Sequence, residues 1–264
     1  MSRRNTTVIC FANNKGGSGK STSCANLGSA LSRAGKRVLL IDGDMQLNLS
    51  LSFFDEERVL EYAQGERNLY EALVHGSALA PLILQSGAER PDVIVSSMRM
   101  SGIETKLPAK RRRELVLREL LRPVRESGEY DYILIDAPPT LGDWVTNILL
   151  ASDRVIIPVE ATPWGLFGLA NMMDFLHKIQ SMDPTVQVLG ILVTKVDERK
   201  NYYHQTMETL AGLDDVPVFR QVIHVDSAVE WAQDASMTVI EYRRSGRSAK
   251  EYMELAREVE ALCQ

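Results

Sequence analysis

Short, nearly unbroken apolar runs alternate along this chain with longer stretches of helical periodicity. The apolar runs fall at 8–12, 37–42, 92–95, 130–136, 154–159 and 186–193. Runs of this length and continuity suit parallel strands that are covered on both faces. The helical pattern predicts helices over 20–34, 67–75, 109–122, 142–151, 165–181, 200–211 and 248–262. Pro123 is expected to end or kink the third of them, because proline lacks the N–H that the turn needs. Strand alternating with helix predicts one doubly wound α/β domain over 1–264, a single mostly parallel sheet with helices on both faces. There is no internal repeat and no low-complexity linker.

Between the first strand and the first helix stands Asn13-Asn14-Lys15-Gly16-Gly17-Ser18-Gly19-Lys20-Ser21. Strand, glycine loop and helix are the context a phosphate-binding loop requires. Glycines let backbone N–H groups turn toward phosphates, and the helix N-terminus adds its positive end. Gly16, Gly17, Ser18 and Gly19 are thus candidate backbone donors. Lys20 is placed for the β- and γ-phosphates, and Ser21 for Mg²⁺. In sheets of this kind the ligand lies beyond the carboxyl ends of the strands. Three further motifs fall there: Asp42-Gly43-Asp44-Met45-Gln46-Leu47-Asn48, Asp136-Ala137-Pro138-Pro139 and Thr194-Lys195-Val196-Asp197. An apolar strand ending in aspartate is a usual way to hold Mg²⁺ at a phosphate, so Asp136 is the Walker B candidate. Only one of Asp42 and Asp44 can point squarely at a γ-phosphate. Phosphoryl transfer asks for position and charge rather than covalent chemistry, so no catalytic histidine or cysteine is needed.

The bulk composition narrows the class. A chain of 264 residues with 45% apolar and 25% charged residues is ordinary for a soluble globular protein. A net charge of −5 does not advertise a nucleic-acid binder, so any DNA contact must come from a local patch. Cys10, Cys24 and Cys263 form no C-x-x-C and read as reduced thiols of a cytoplasmic protein. His75, His177, His204 and His224 lack ligand spacing. No stretch has the length of a membrane span or a signal peptide.

The loop departs from G-x-x-x-x-G-K-[ST] at Asn14 and carries Lys15-Gly16-Gly17 instead. It resembles the deviant K-G-G-x-G-K-[ST] loop of the ParA/MinD group, and nearly the whole chain resembles the short, Soj-type ParA proteins. That resemblance implies a Mg²⁺-dependent ATPase that forms a homodimer around two ATP molecules, with Lys15 reaching the nucleotide of the other subunit. It implies that Asp44 positions or activates the attacking water, that Asp42 supports Mg²⁺ beside Ser21 and Asp136, and that Thr22 touches the α-phosphate. The family's D-x-D-P-Q-G segment has Met45 here in place of proline and Leu47 in place of glycine. Thr194 and Asp197 are candidate base contacts. Their motif is similar to the N-K-x-D of GTPases with Thr194 for asparagine, but the family resemblance favours adenine.

ParA proteins of this type bind DNA nonspecifically as ATP dimers, and a ParB-like partner stimulates hydrolysis. The resemblance therefore implies DNA partitioning or segregation, with nucleoid association if DNA binding holds. The alternative is an orphan ParA-like switch that positions a protein cargo. The family segment V-I-P-R-N-V-R aligns with Val222-Ile223-His224-Val225-Asp226-Ser227-Ala228, which lacks both arginines. Arginine at 225 or 228 is expected to strengthen DNA binding. Arg243, Arg244, Arg247 and Lys250 form one substitute cluster; Lys106, Lys110, Arg111, Arg112 and Arg113 form another. Glu251, Glu254, Glu258 and Glu260 in the last helix argue against the basic membrane helix of MinD-type proteins.

Overall fold

All six apolar runs become strands: β1 Thr7–Phe11, β2 Val38–Asp42, β3 Asp92–Ile94, β4 Tyr132–Asp136, β5 Arg154–Glu160 and β6 Gln187–Thr194. The structure, a computed structural model, describes residues 6–110, 112–213 and 216–263. The strands form one sheet in the order β3-β2-β4-β1-β5-β6, and every neighbouring pair is parallel. Alternate residues of each strand feed two cores. Val8, Cys10, Leu39, Ile41, Ile133 and Ile135 pack with Trp144 and Ile148 on one face. Ile9, Phe11, Leu40 and Leu134 pack with Leu27, Leu31, Tyr252 and Leu255 on the other. Both faces are apolar because both are covered, which is why the strands read as continuous apolar runs.

Register sets the functional edge. Phe11 pairs with Asp136, and Asp136 pairs with Asp42. The phosphate loop and two candidate carboxylates therefore leave the sheet at one level. The β1–β5 ladder ends at Ile156, while the β5–β6 ladder runs on to Glu160 opposite Thr194. Pro158 fits inside β5 for that reason: it lies past the β1 pairing, where its missing N–H costs no bond to β1.

The structure corrects the helix predicted over 109–122. Short tight turns at Leu107–Ala109 and Arg113–Leu115 precede a helix at Val116–Ser127, with Pro123 inside it. Proline does not end this helix, because tertiary packing spans it: Leu117, Leu121 and Val124 are all buried on one face. Beyond Pro123, Arg125 is tied to Asp153 at 2.8 Å. Among the described residues the pattern missed two four-residue helices, Ile103–Lys106 and Val239–Tyr242, and two longer ones, Glu56–Gln64 and Ser227–Asp234. Each of the longer two is still short and is started by an aspartate that accepts a backbone N–H, Asp55 from Arg58 and Asp226 from Ala228.

Candidate nucleotide site

Gly17 and Gly19 adopt φ of 73° and 87°, the left-handed region that glycine enters without penalty. Gly19 is the N-cap of the helix Lys20–Arg33 and brings no capping side chain. The first-turn N–H groups are left for an anion. The loop is fixed from outside. Thr194 Oγ1 donates to the Ser18 carbonyl at 2.9 Å, and Asn13 Nδ2 donates to the Pro158 carbonyl at 2.7 Å.

Lys20 is buried, and its Nζ donates to the Lys15 carbonyl at 3.2 Å. Burial pushes its pKa down, while Asp136 and Asp44 pull it up. Asp136 is fully buried, and neither carboxylate oxygen accepts a hydrogen bond. Burial drives its pKa well above the carboxylate range and Asp42 adds to that; Ser21 and Lys20 stand near and pull it down. A buried carboxylate with both oxygens unsatisfied, beside a serine hydroxyl, fits a hard divalent cation such as Mg²⁺.

Asp42 is placed differently. Its Oδ1 accepts the Asp44 N–H at 3.1 Å, and its Oδ2 accepts both the N–H and the hydroxyl of Ser50, at 2.9 and 2.6 Å. Burial raises its pKa to about 6 against those bonds. Asp42 therefore ties the loop that follows β2. Asp44 is buried, and among the described residues its Oδ1 accepts only the Gln46 N–H at 3.1 Å. Between them Gly43 donates to the Asp136 carbonyl at 2.9 Å and accepts the Trp144 indole N–H at 2.9 Å. A Cβ on Gly43 would stand 2.6 Å from the Asp136 carbonyl oxygen. Gly43→Ala is expected to destabilise the protein by about 1–3 kcal/mol, read as a lower urea midpoint at unchanged m-value. Leu47, at the family's glycine position, has φ 62° yet is buried in the core, so its burial offsets the left-handed strain.

The Lys15 ammonium has partners different from those of Lys20. Its Nζ is 2.8 Å from Glu160 Oε2 and donates to Thr162 Oγ1 at 3.2 Å. The sequence did not mark Glu160. The available signal was an acidic residue at a strand's carboxyl end, the same position held by Asp42 and Asp136.

A cavity of about 270 Å³ opens beside Gly19, Thr22 and Thr194, walled by His224, Asp226, Gln233 and Tyr252. Gln233 Nε2 donates to Thr22 Oγ1 at 3.0 Å. His224 is pinned between Glu251 at 2.7 Å and Glu198 at 3.0 Å. Asp197 does not line this cavity; both its oxygens take the Arg199 guanidinium at 2.8 and 2.9 Å. That bond holds its carboxyl down at about 2. A second cleft of about 520 Å³ is lined by Asp44 together with Met45, Met100, Ile103, Leu141 and Trp144.

Arg243, Arg244, Arg247 and Lys250 are all exposed around the start of the helix Arg247–Leu262. Arg247 is partly engaged, 2.9 Å from Glu251. In the second cluster Lys110 donates to the Val74 carbonyl and Arg113 approaches Asp143 at 3.9 Å, while Arg111 lies outside the described residues. The acidic tail residues are clamps: Glu258 accepts the N–H groups of Arg220 and Gln221, and Glu260 pairs with Lys36. No helix among the described residues is long and apolar enough to cross a membrane.

These features define a phosphate-loop nucleotide-binding protein of the doubly wound class. Residues 6–188 match a family model described as an AAA domain. The chain is 34% identical over 255 residues to the sporulation initiation inhibitor protein Soj of Bacillus subtilis, covering 96% of this chain and 98% of that one. It is 32% identical over 260 residues to the chromosome partitioning protein ParA of Caulobacter vibrioides, covering 98% and 96%. Among solved structures, cobyrinic acid a,c-diamide synthase from Mycobacterium smegmatis with bound ATP analog and magnesium has a TM-score of 0.82 at 26% identity, covering 96% and 93%. A plasmid partition protein from Borrelia burgdorferi shares the fold with a TM-score of 0.75 at 24% identity, covering 96% and 97%. The chain belongs to the ParA/Soj family of partitioning ATPases.

Proposed function

We propose that this chain hydrolyses ATP to ADP and phosphate in a cycle between a monomer and an ATP-sandwich homodimer, and that the cycle partitions DNA. The observation that carries the proposal is the different seating of the two loop ammonium groups. Lys20 is buried among Asp44 and Asp136, in position for the subunit's own phosphates. Lys15 is held at Glu160 and keeps 24% side-chain exposure, where a second subunit can meet it. Two aromatic side chains at the start of the helix Pro163–Met182, Trp164 and Phe167, are 74% and 64% exposed. Surface aromatics of this kind are typical of a face that becomes covered.

Ser21 and Asp136 would hold Mg²⁺, with Asp42 fixing the loop that carries Asp44. When bound, the cation would neutralise charge on the phosphates. Asp44 orients and deprotonates the attacking water, and the loop N–H groups and Lys20 stabilise charge on the transferring group. The cavity beside Thr22 and Thr194 takes the base and ribose. Adenine is favoured over guanine, because the Asp197 carboxylate that would read guanine is held by Arg199 outside the cavity.

DNA is contacted without sequence preference through Arg243, Arg244, Arg247 and Lys250, and a ParB-like partner stimulates hydrolysis. Binding should require ATP and weaken steeply with salt, with a log–log slope of about −0.9 per phosphate neutralised. Alanine at Arg243 and Arg244 should flatten that slope by about one unit for each phosphate no longer neutralised. Val225→Arg should strengthen binding, since Val225 is 61% exposed. The sequence-based expectation for position 228 is corrected by the structure: Ala228 is buried in the first turn of its helix, so arginine there would disrupt packing. Fluorescence anisotropy with a labelled duplex, across a salt series with ATP, ADP or no nucleotide, tests all of these. Absence of ATP-dependent binding at low salt would remove the DNA track. The reading would then pass to a switch acting on a protein cargo, which the exposed apolar side chains of Val225 and Trp231 favour.

A further inference from the structure

We infer that Glu160 is a positioning residue for Lys15: it holds the lysine in the free subunit, and closure of the dimer exchanges it for the partner's phosphates. This rests on the sandwich reading above. Three observations carry it. First, Lys15 Nζ meets Glu160 Oε2 at 2.8 Å and Thr162 Oγ1 at 3.2 Å, so the ammonium has a built seat in its own chain. Second, that seat is closely packed. The Lys15 N–H donates to Asn13 Oδ1 at 3.0 Å. A Cβ on Gly165 would stand 2.0 Å from the Glu160 carbonyl oxygen, and one on Gly168 would stand 3.3 Å from Lys15 Cβ. The helix Pro163–Met182 is thus pressed against both the strand end and the loop. Third, β5 continues four residues beyond its last partner in β1, which carries Glu160 up to the height of the loop.

The pair can be exchanged. Lys15 and Glu160 keep 24% and 28% side-chain exposure, so water reaches both and screens their attraction. A triphosphate offers a denser negative charge and competes for the ammonium. Once Lys15 has left, Glu160 has no cation among the described residues. It then recaptures Lys15 when hydrolysis and phosphate loss weaken the trans contact. Glu160 sets the resting state and Lys15 reports the nucleotide.

Two arms test this, and they separate the latch from the dimer. In nucleotide-free protein, acetic anhydride labelling followed by peptide mass spectrometry reads the reactivity of Lys15. Glu160→Gln should raise it severalfold, Glu160→Asp should leave it near wild type, and the neighbouring Lys195 should not change. Equal Lys15 reactivity in wild type and Glu160→Gln would overturn the latch. So would a parallel rise at Lys195, which would mean a loosened loop instead of a freed lysine. In the second arm, light scattering with Mg²⁺ and a slowly hydrolysed ATP analogue follows assembly. Glu160→Gln should dimerise at severalfold lower protein concentration than wild type. A dimer of unchanged or lower affinity would overturn the exchange. Wild type and variant both remaining monomeric, while Lys15 reactivity still rises, would instead bring down the sandwich reading and the exchange with it.

Discussion

Lys20→Ala is expected to abolish productive nucleotide binding. Lys20 is 6% exposed and lies among Asp44, Asp136 and the Lys15 carbonyl. Removing it deletes a cationic donor to the phosphates and leaves buried carboxylates with no compensating charge. Loss of a charge-assisted hydrogen bond alone costs about 1.5–3 kcal/mol, a factor of about 10 to 150 in affinity, and the uncompensated carboxylates add repulsion. Titration with a fluorescent ATP analogue measures it, with thermal unfolding as a check that the variant is folded. Affinity unchanged from wild type would mean the loop is not the phosphate site. Lys15→Ala should behave otherwise: binding should persist while dimerisation and turnover fall, because Lys15 is held at Glu160 away from its own loop interior.

Asp44→Ala is expected to bind ATP and dimerise but to hydrolyse about 10²–10⁴-fold more slowly, the usual range for losing a positioned general base. Among the described residues the Asp44 carboxylate accepts one hydrogen bond, from Gln46, and keeps its second oxygen open. Asp42 has both oxygens committed to Asp44 and Ser50. Asp42→Ala should therefore loosen the loop and lower stability as well as turnover. Single-turnover phosphate release separates the two variants. An Asp44→Ala protein that turns over at the wild-type rate would remove Asp44 from the chemistry.

The parts of the fold legible in the sequence were those where one residue type answers to one physical demand. Continuous apolar runs marked all six strands, because both sheet faces are covered. The glycine loop was legible because Gly17 and Gly19 occupy left-handed backbone and no side chain caps the helix that follows. Tertiary effects were not. Pro123 looked like a helix end, yet Leu117, Leu121 and Val124 pack on both sides of it. Thr194 was marked as a base contact by motif; the structure adds a second role, since its hydroxyl pins the Ser18 carbonyl. Glu160 carried only the signal of an acidic strand end; its pairing with Lys15 depends on β5 outrunning β1, a register no local pattern encodes. The buried Ala228 was invisible for a related reason: its helix Ser227–Asp234 is two turns long and too short to show a period.

The central claim is that ATP joins two copies of this chain through Lys15. The most direct measurement is multi-angle light scattering of the wild type, Lys15→Ala and Asp44→Ala with Mg²⁺ and either ATP, a slowly hydrolysed analogue or ADP. The account predicts a dimer mass for wild type with the analogue, a persistent dimer for Asp44→Ala with ATP itself, and monomers for Lys15→Ala and for every protein with ADP. A wild type that stays monomeric with the analogue at saturating concentration would contradict it.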